Sequence, residues 1–254
     1  MKALYTGVAL GVACLLLCGP GLLRTPGRRY VLGAALAAGG GALAALAALP
    51  RVLPWLPLVA GHDYWLNQVL ELLVGLAGVG LLVGLGGWPR AELGLRLRFA
   101  PGTGRDVRRF LLPLLALEVG LLGILISGGQ LAGLGYLLLQ LSAGPTEELI
   151  FRGLLLALLN RAFLGRVRVL GADLGWGTVA SAVLFGLLHG LRVGADWRVA
   201  LNMVPMAIPM AGGLVLAWCR ARSGSLVLPV LVHSGMNAVA QLIGPVKMLW
   251  RTLL

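Results

Sequence analysis

Apolar runs of about 20 residues, separated by short connections that hold most of the charge, recur along this chain. A helix rises about 1.5 Å per residue, so such a run crosses the roughly 30 Å hydrocarbon layer of a bilayer. In hydrocarbon every backbone N–H and C=O needs a partner, which leaves helices or a closed barrel as the possible folds. The runs lack the period-two alternation of barrel strands and are rich in Leu, Ala and Gly, small residues that let membrane helices approach closely. The chain therefore reads as all-α, a polytopic transmembrane bundle of about eight helices. Spans are expected near 4–23, 30–50, 65–87, 110–126, 131–159, 174–190, 199–219 and 226–244. Only 12% of residues are charged, against roughly 25% in soluble domains, and the mean hydropathy is +0.92.

The net charge of +12 does not point to nucleic acid, because the basic residues are mostly arginines in the connections. Connections 24–29, 88–109, 160–173 and 220–225 hold fourteen of them, against six Lys and Arg on the opposite side. That asymmetry predicts both termini on the non-cytoplasmic face, in what reads as a prokaryotic plasma membrane. The first run has Lys2 before it, but Arg24, Arg28 and Arg29 after it and no A-x-A site, so a retained helix is expected. The 88–109 connection, the largest polar segment, reads as a cytoplasmic loop with a short amphipathic element anchored at lipid headgroups. Cys14, Cys18 and Cys219 form no paired framework and read as buried thiols.

Against this apolar background, three stretches place ionisable or amide groups inside the runs. Each such group costs a few kcal/mol in a membrane interior, which makes it a candidate functional site. In GPTEELIFRG, Pro145 is expected to start or break a helix and Thr146 to cap it, which would put the carboxylates in a first turn. Glu148 and Arg152, four apart, share a face and can pair. Glu147 lies about 100° around from Glu148 and is left for chemistry. In VLFGLLHG, Phe185 and His189 are four apart, with the ring able to restrict the imidazole. In LPVLVHSGMNAVA, His233 and Asn237 share a face after Pro229, a residue that bends a helix or frees a carbonyl.

A carboxylate base, two imidazoles and a carboxamide make a set for hydrolysis. No GxSxG or HExxH occurs. A divalent metal such as zinc stays open, with ligands that would come from three different helices. One conflict accompanies the expected spans. His189 falls near the outer end of its helix, whereas His233 lies roughly 10 Å from the cytoplasmic end of its own. They meet only if one helix is displaced or broken, or if the last one starts deeper.

The blocks E147-E148-L-I-F-R152, F185-G-L-L-H189 and H233-S-G-M-N237 resemble, in order, the EExxxR, FxxxH and HxxxN pattern of the CPBP family, the CAAX proteases and bacteriocin-processing enzymes. The resemblance covers about residues 131–244 and implies an intramembrane endopeptidase, similar to type II CAAX prenyl proteases, with a buried polar catalytic cluster. It implies that Glu147 and His189 activate the attacking water and that His233 and Asn237 stabilise the oxyanion. Glu148 and Arg152 would hold the site's shape. The family is also described as metalloprotease-like, so a metal stays open here too. The implied partners are the lipid bilayer and a membrane-associated protein or peptide substrate. Nothing indicates a prenyl group.

By this reading residues 1–109 are N-terminal membrane helices and a cytoplasmic basic loop, and residues 110–254 the protease core, in one integrated membrane domain. Two other readings compete. A transporter or proton relay would place Glu71 and Glu118 on a continuous polar path with the cluster. A non-catalytic scaffold of the same fold would have no water-accessible cavity joining Glu147 and His189. The orientation is testable in a chain whose own cysteines are replaced by Ser. Gly104→Cys should be shielded from an impermeant maleimide added to whole cells and Asp196→Cys labelled, and the opposite pattern would invert the topology.

Overall fold

The structure, a computed structural model, describes residues 2–23, 25–46, 63–125, 134–194 and 196–253. Its helices fall on the eight apolar runs. They are α1 (Lys2–Leu17), followed by a turn Gly19–Leu22, α2 (Thr25–Leu46), and α3 (Asp63–Gly80), extended by a π-helical turn Leu81–Leu85. Helical turns Thr103–Asp106 and Val107–Leu111 lead into α4 (Leu112–Leu125). Then come α5 (Leu134–Glu148), α6 (Trp176–Gly190), α7 (Met203–Ser223) and α8 (Val227–Leu253). Residues 47–50, 126 and 131–133 of the expected spans lie outside the described residues.

Among the described residues, Gln68–Leu85, Met203–Ser223 and Val227–Leu253 are long and apolar enough to cross a membrane, and Tyr5–Leu17 and Trp176–Gly190 are shorter apolar helices. Leu16, Leu36 and Ile124 are each 77% exposed, so the helices turn apolar side chains outward as well as inward. A protein in water does not leave so much hydrocarbon uncovered, and a bilayer covers it. The fold is that of a membrane helical bundle.

The expected helix start at Pro145 does not occur. α5 passes through Pro145 without a break, continues as a π-helical stretch Leu149–Leu155, and ends in Leu156–Ala162. Thr146 Oγ1 donates back to Ser142 O at 3.2 Å and Ala143 O at 3.1 Å instead of capping a helix. The carboxylates therefore lie mid-rod, with no positive helix end beneath them. This rod is the centre of the main core, where Ile150, Leu155 and Leu159 pack with Leu10 and Val31 of α1 and α2 and Leu184 of α6. α1 and α2 pack closely because of glycine: a Cβ at Gly39 would lie 3.1 Å from Gly7 O.

Two short antiparallel hairpins interrupt the helices where plain connections were expected. β1 (Arg166–Val169) pairs with β2 (Ala172–Gly175) through a tight turn whose Leu170 and Gly171 both have positive φ, 46° and 83°. β3 (Leu191–Val193) pairs with β4 (Val199–Leu201), which takes up the start of the expected 199–219 span.

The 88–109 connection is not a free headgroup anchor along its whole length. It folds inward, with Leu93 fully buried, Ala100 N donating to Ser223 O at 2.8 Å and Leu226 N donating to Gly94 O at 2.9 Å. Arg222 holds it from α7, with Nε donating to Asp106 Oδ2 at 2.6 Å and Nη2 to Pro101 O at 2.9 Å. Leu95, Leu97 and Phe99 remain exposed at its tip.

This packing resolves the depth conflict. The α7–α8 turn is buried, with Ser223 and Ser225 at 0% exposure, and Leu226 lies against Gly153, about 13 Å short of the Ala162 end of the α5 rod at helical rise. α8 thus starts inside the protein, and His233 reaches the level of His189. Irregular backbone at such depth is tolerated where protein surrounds it.

The Arg222 guanidinium, then Arg105, hold the Asp106 carboxyl below the usual carboxylate range. A depressed folded pKa contributes stability above the unfolded value of about 4 that is lost as pH falls through the folded value. Hydrogen exchange of residues 100–110 should accelerate below about pH 4, and Asp106→Asn should remove that pH dependence.

Candidate active site

The polar groups sit where α5, α6, α7 and α8 converge, and the proline in α5 explains how α8 is held there. Pro145 has no N–H, so Leu141 O has no helical donor. Ser234 Oγ of α8 donates to that oxygen at 2.8 Å, and one turn on Asn237 Nδ2 donates to Gln140 O at 3.0 Å. Gly144 leaves room for the approach: a Cβ there would collide with Ser234 Oγ and lie 3.2 Å from Val230 O. Pro229 frees Ser225 O in the same way, and Ser223 Oγ donates to it at 3.0 Å.

Glu148 and Arg152, both at 0% exposure, form the expected pair, with Nη1 and Oε1 2.8 Å apart. The same Glu148 Oε1 accepts from His233 Nδ1 at 2.9 Å. Arg152 Nη2 donates to Gly213 O of α7 at 3.2 Å, and its guanidinium carbon lies 4.4 Å from the centre of the Phe185 ring. Phe185 stands between the imidazoles, 4.7 Å from the His189 ring and 5.9 Å from that of His233. His189 Nδ1 bonds Phe185 O at 2.8 Å, a contact that needs the proton on Nδ1 and so leaves Nε2 as the acceptor.

Glu147 has the contrasting environment. Its Oε2 is buried without a hydrogen bond among the described residues and lies 3.9 Å from His233 Nε2. Glu147, His189, His233, Asn237 and Phe185 line one cavity of about 340 Å³. A preformed cavity with a few convergent polar groups is the usual form of a small-molecule or catalytic site. It joins Glu147 to His189, contrary to the expectation for an inert scaffold.

Residues 129–239 match the family of type II CAAX prenyl endopeptidases, described as Rce1-like. The match spans less than half of the chain, and this segment is similar to CAAX endopeptidases. The match contains all six site residues and identifies an intramembrane peptidase of CAAX type in general. No curated protein and no solved structure matches the chain.

Among the described residues no group of three His, Cys, Asp or Glu ligands fitted to a metal is found. The Nδ1 atoms bond Phe185 O and Glu148, which leaves each Nε2 available.

Two further carboxylates, which a transporter reading would place on a path with the cluster, lie at or near the site. Glu118 of α4 lines the cavity. Glu71 of α3, only 3% exposed, interacts with Thr146 and lies within electrostatic reach of Glu147. Neither points away. The side-chain amide of Gln68, one turn before Glu71, lies 2.6 Å from Thr146 Oγ1. The sequence signal was present in the rarity of Glu in apolar runs, but no spacing connects α3 or α4 to the three motif blocks.

The buried pair makes a stability prediction. Arg152→Met leaves Glu148 ionised without its cation and should cost about 3–5 kcal/mol in detergent unfolding. Adding Glu148→Gln should recover part of that loss. If the double variant is the less stable one, the Glu148–Arg152 pair is not the interaction that matters.

Proposed function

We propose that this chain hydrolyses peptide bonds of membrane-associated proteins or peptides with a water activated by Glu147. The observation that carries this is that Glu147 lines the cavity and that its buried Oε2, 3.9 Å from His233 Nε2, has no hydrogen bond among the described residues. Glu148 and Arg152 are committed to each other, so of the charged groups in the motif blocks Glu147 is the available base.

In the proposed step, Glu147 takes a proton as the water oxygen bonds to the scissile carbonyl carbon. His189, whose Nε2 is the free acceptor, helps to orient and deprotonate that water. The carbonyl oxygen becomes an oxyanion facing α8. His233, with Nδ1 held by Glu148, presents Nε2–H to it when both its nitrogens carry protons. Asn237 adds its second amide N–H, the first being held by Gln140 O. Collapse breaks the C–N bond, and Glu147 returns its proton to the leaving amine. Glu148 and Arg152 touch no substrate and act by positioning His233 and Phe185.

The site is proposed to lie within the membrane, with the arginine-rich connections cytoplasmic and both termini opposite. The placement of Glu71 and Glu118 favours one other reading, a proton relay through the same cluster. Cleavage by detergent-solubilised protein, where no gradient exists, separates the two. Glu147→Gln should lower kcat for a quenched-fluorescence peptide by about a hundredfold or more while leaving the thermal midpoint near that of the parent. A variant that keeps its rate within a few-fold would sink the role of Glu147.

A further inference from the structure

Glu118 has no part in the proposed hydrolysis, yet it lies in the wall of the same cavity. It sits in the middle of α4, a helix whose other residues are all apolar or glycine, so its carboxylate is the single polar side chain that α4 places in the bundle. Among the described residues it makes no hydrogen bond and no ion pair. The lining contains no Lys or Arg, and Arg152 is sealed at 0% exposure against Glu148. The cavity therefore carries two carboxylates, Glu147 and Glu118, with no fixed counter-cation. The remaining titratable groups facing it are His189 and His233.

A lone carboxylate costs free energy in an apolar helix unless something compensates it, and in a low-dielectric site an opposite charge is a strong compensator. Among the described residues the cavity lining supplies none. We propose that Glu118 determines specificity by pairing with a basic side chain of the peptide substrate bound beside the scissile bond. This rests on the peptidase reading of the cavity and adds to it the charge of the substrate. Apolar neighbours Leu115, Ile208 and Val215 would enclose the stem of a Lys or Arg while its head meets the carboxylate. The same arrangement selects against acidic residues at that position, where like charges would be buried together.

The test uses peptides with an apolar Leu/Ala membrane anchor, identical except for Lys or norleucine scanned across the cleaved bond, assayed with the full chain in detergent. The readout is the Lys-to-norleucine ratio of kcat/KM. At one position the parent should favour Lys by about tenfold or more, the factor carried by 1.4 kcal/mol. Glu118→Gln should bring the ratio to about one, Glu118→Asp should keep part of it, and Glu118→Arg should invert it. A structural role would lower both rates together and leave the ratio unchanged, which overturns the proposal. So does a parent ratio near one at every position, the result expected if Glu118 is protonated and neutral. Binding of the same labelled peptides to Glu147→Gln protein, followed by fluorescence anisotropy, provides the second arm. A Glu118-dependent preference for Lys in binding, with no cleavage of any peptide by the parent, would uphold this inference while refuting hydrolysis. Equal binding of both peptides refutes the inference itself.

Discussion

One oxygen of Glu148 carries the architecture of this site. It accepts from Arg152 within its own helical rod and from His233 on α8, and Arg152 in turn reaches the α7 backbone and covers the Phe185 ring of α6. Four helices are thereby connected through one fully buried ion pair. Removing either charge strands the other where water cannot replace it, which is why such pairs are costly to break even when they add little net stability. The pair does more for specificity than for stability: it sets which ring nitrogen of His233 is committed and which is available.

The same economy holds for the other contacts among these helices. Between membrane helices burial of apolar surface contributes little, because lipid is as apolar as a leucine side chain. Close packing at glycine and hydrogen bonds from short polar side chains take its place. α5 and α8 show both at once, with Gly144 opening the approach and Ser234 and Asn237 donating across it. Asn237 therefore has a structural bond as well as a place in the cavity, and its effect on chemistry depends on the N–H that Gln140 does not use.

Much of this was legible in the residues. Apolar run length located the helices, because hydrocarbon thickness is a hard constraint, and four-residue spacing located the Glu148–Arg152 pair and the Phe185–His189 contact. The errors arose where tertiary contacts outweigh local rules. Pro145 is a helix breaker by itself, yet its freed carbonyl finds Ser234, so the helix continues. The hairpin strands are only three or four residues long, so even the alternation of Arg166–Val169 is too brief to announce a strand. The depth of the α7–α8 turn was hidden because its polarity looks like that of a surface connection, whereas Arg96 O and Gly94 O satisfy it inside the protein. Glu71 and Glu118 converge on the site through packing between distant helices, which no single-sequence spacing encodes.

The carbonyl freed by Pro145 also bears on how the chain is made. α5 is synthesised long before Ser234, and until α8 arrives Leu141 O, Gln140 O and Glu148 lack their α8 donors. An early helix thus waits on a late one for these hydrogen bonds. In such a protein the last helix acts as a checkpoint on assembly: a chain that stops short of it exposes unsatisfied polar groups at the very place where the finished molecule keeps its reactive ones.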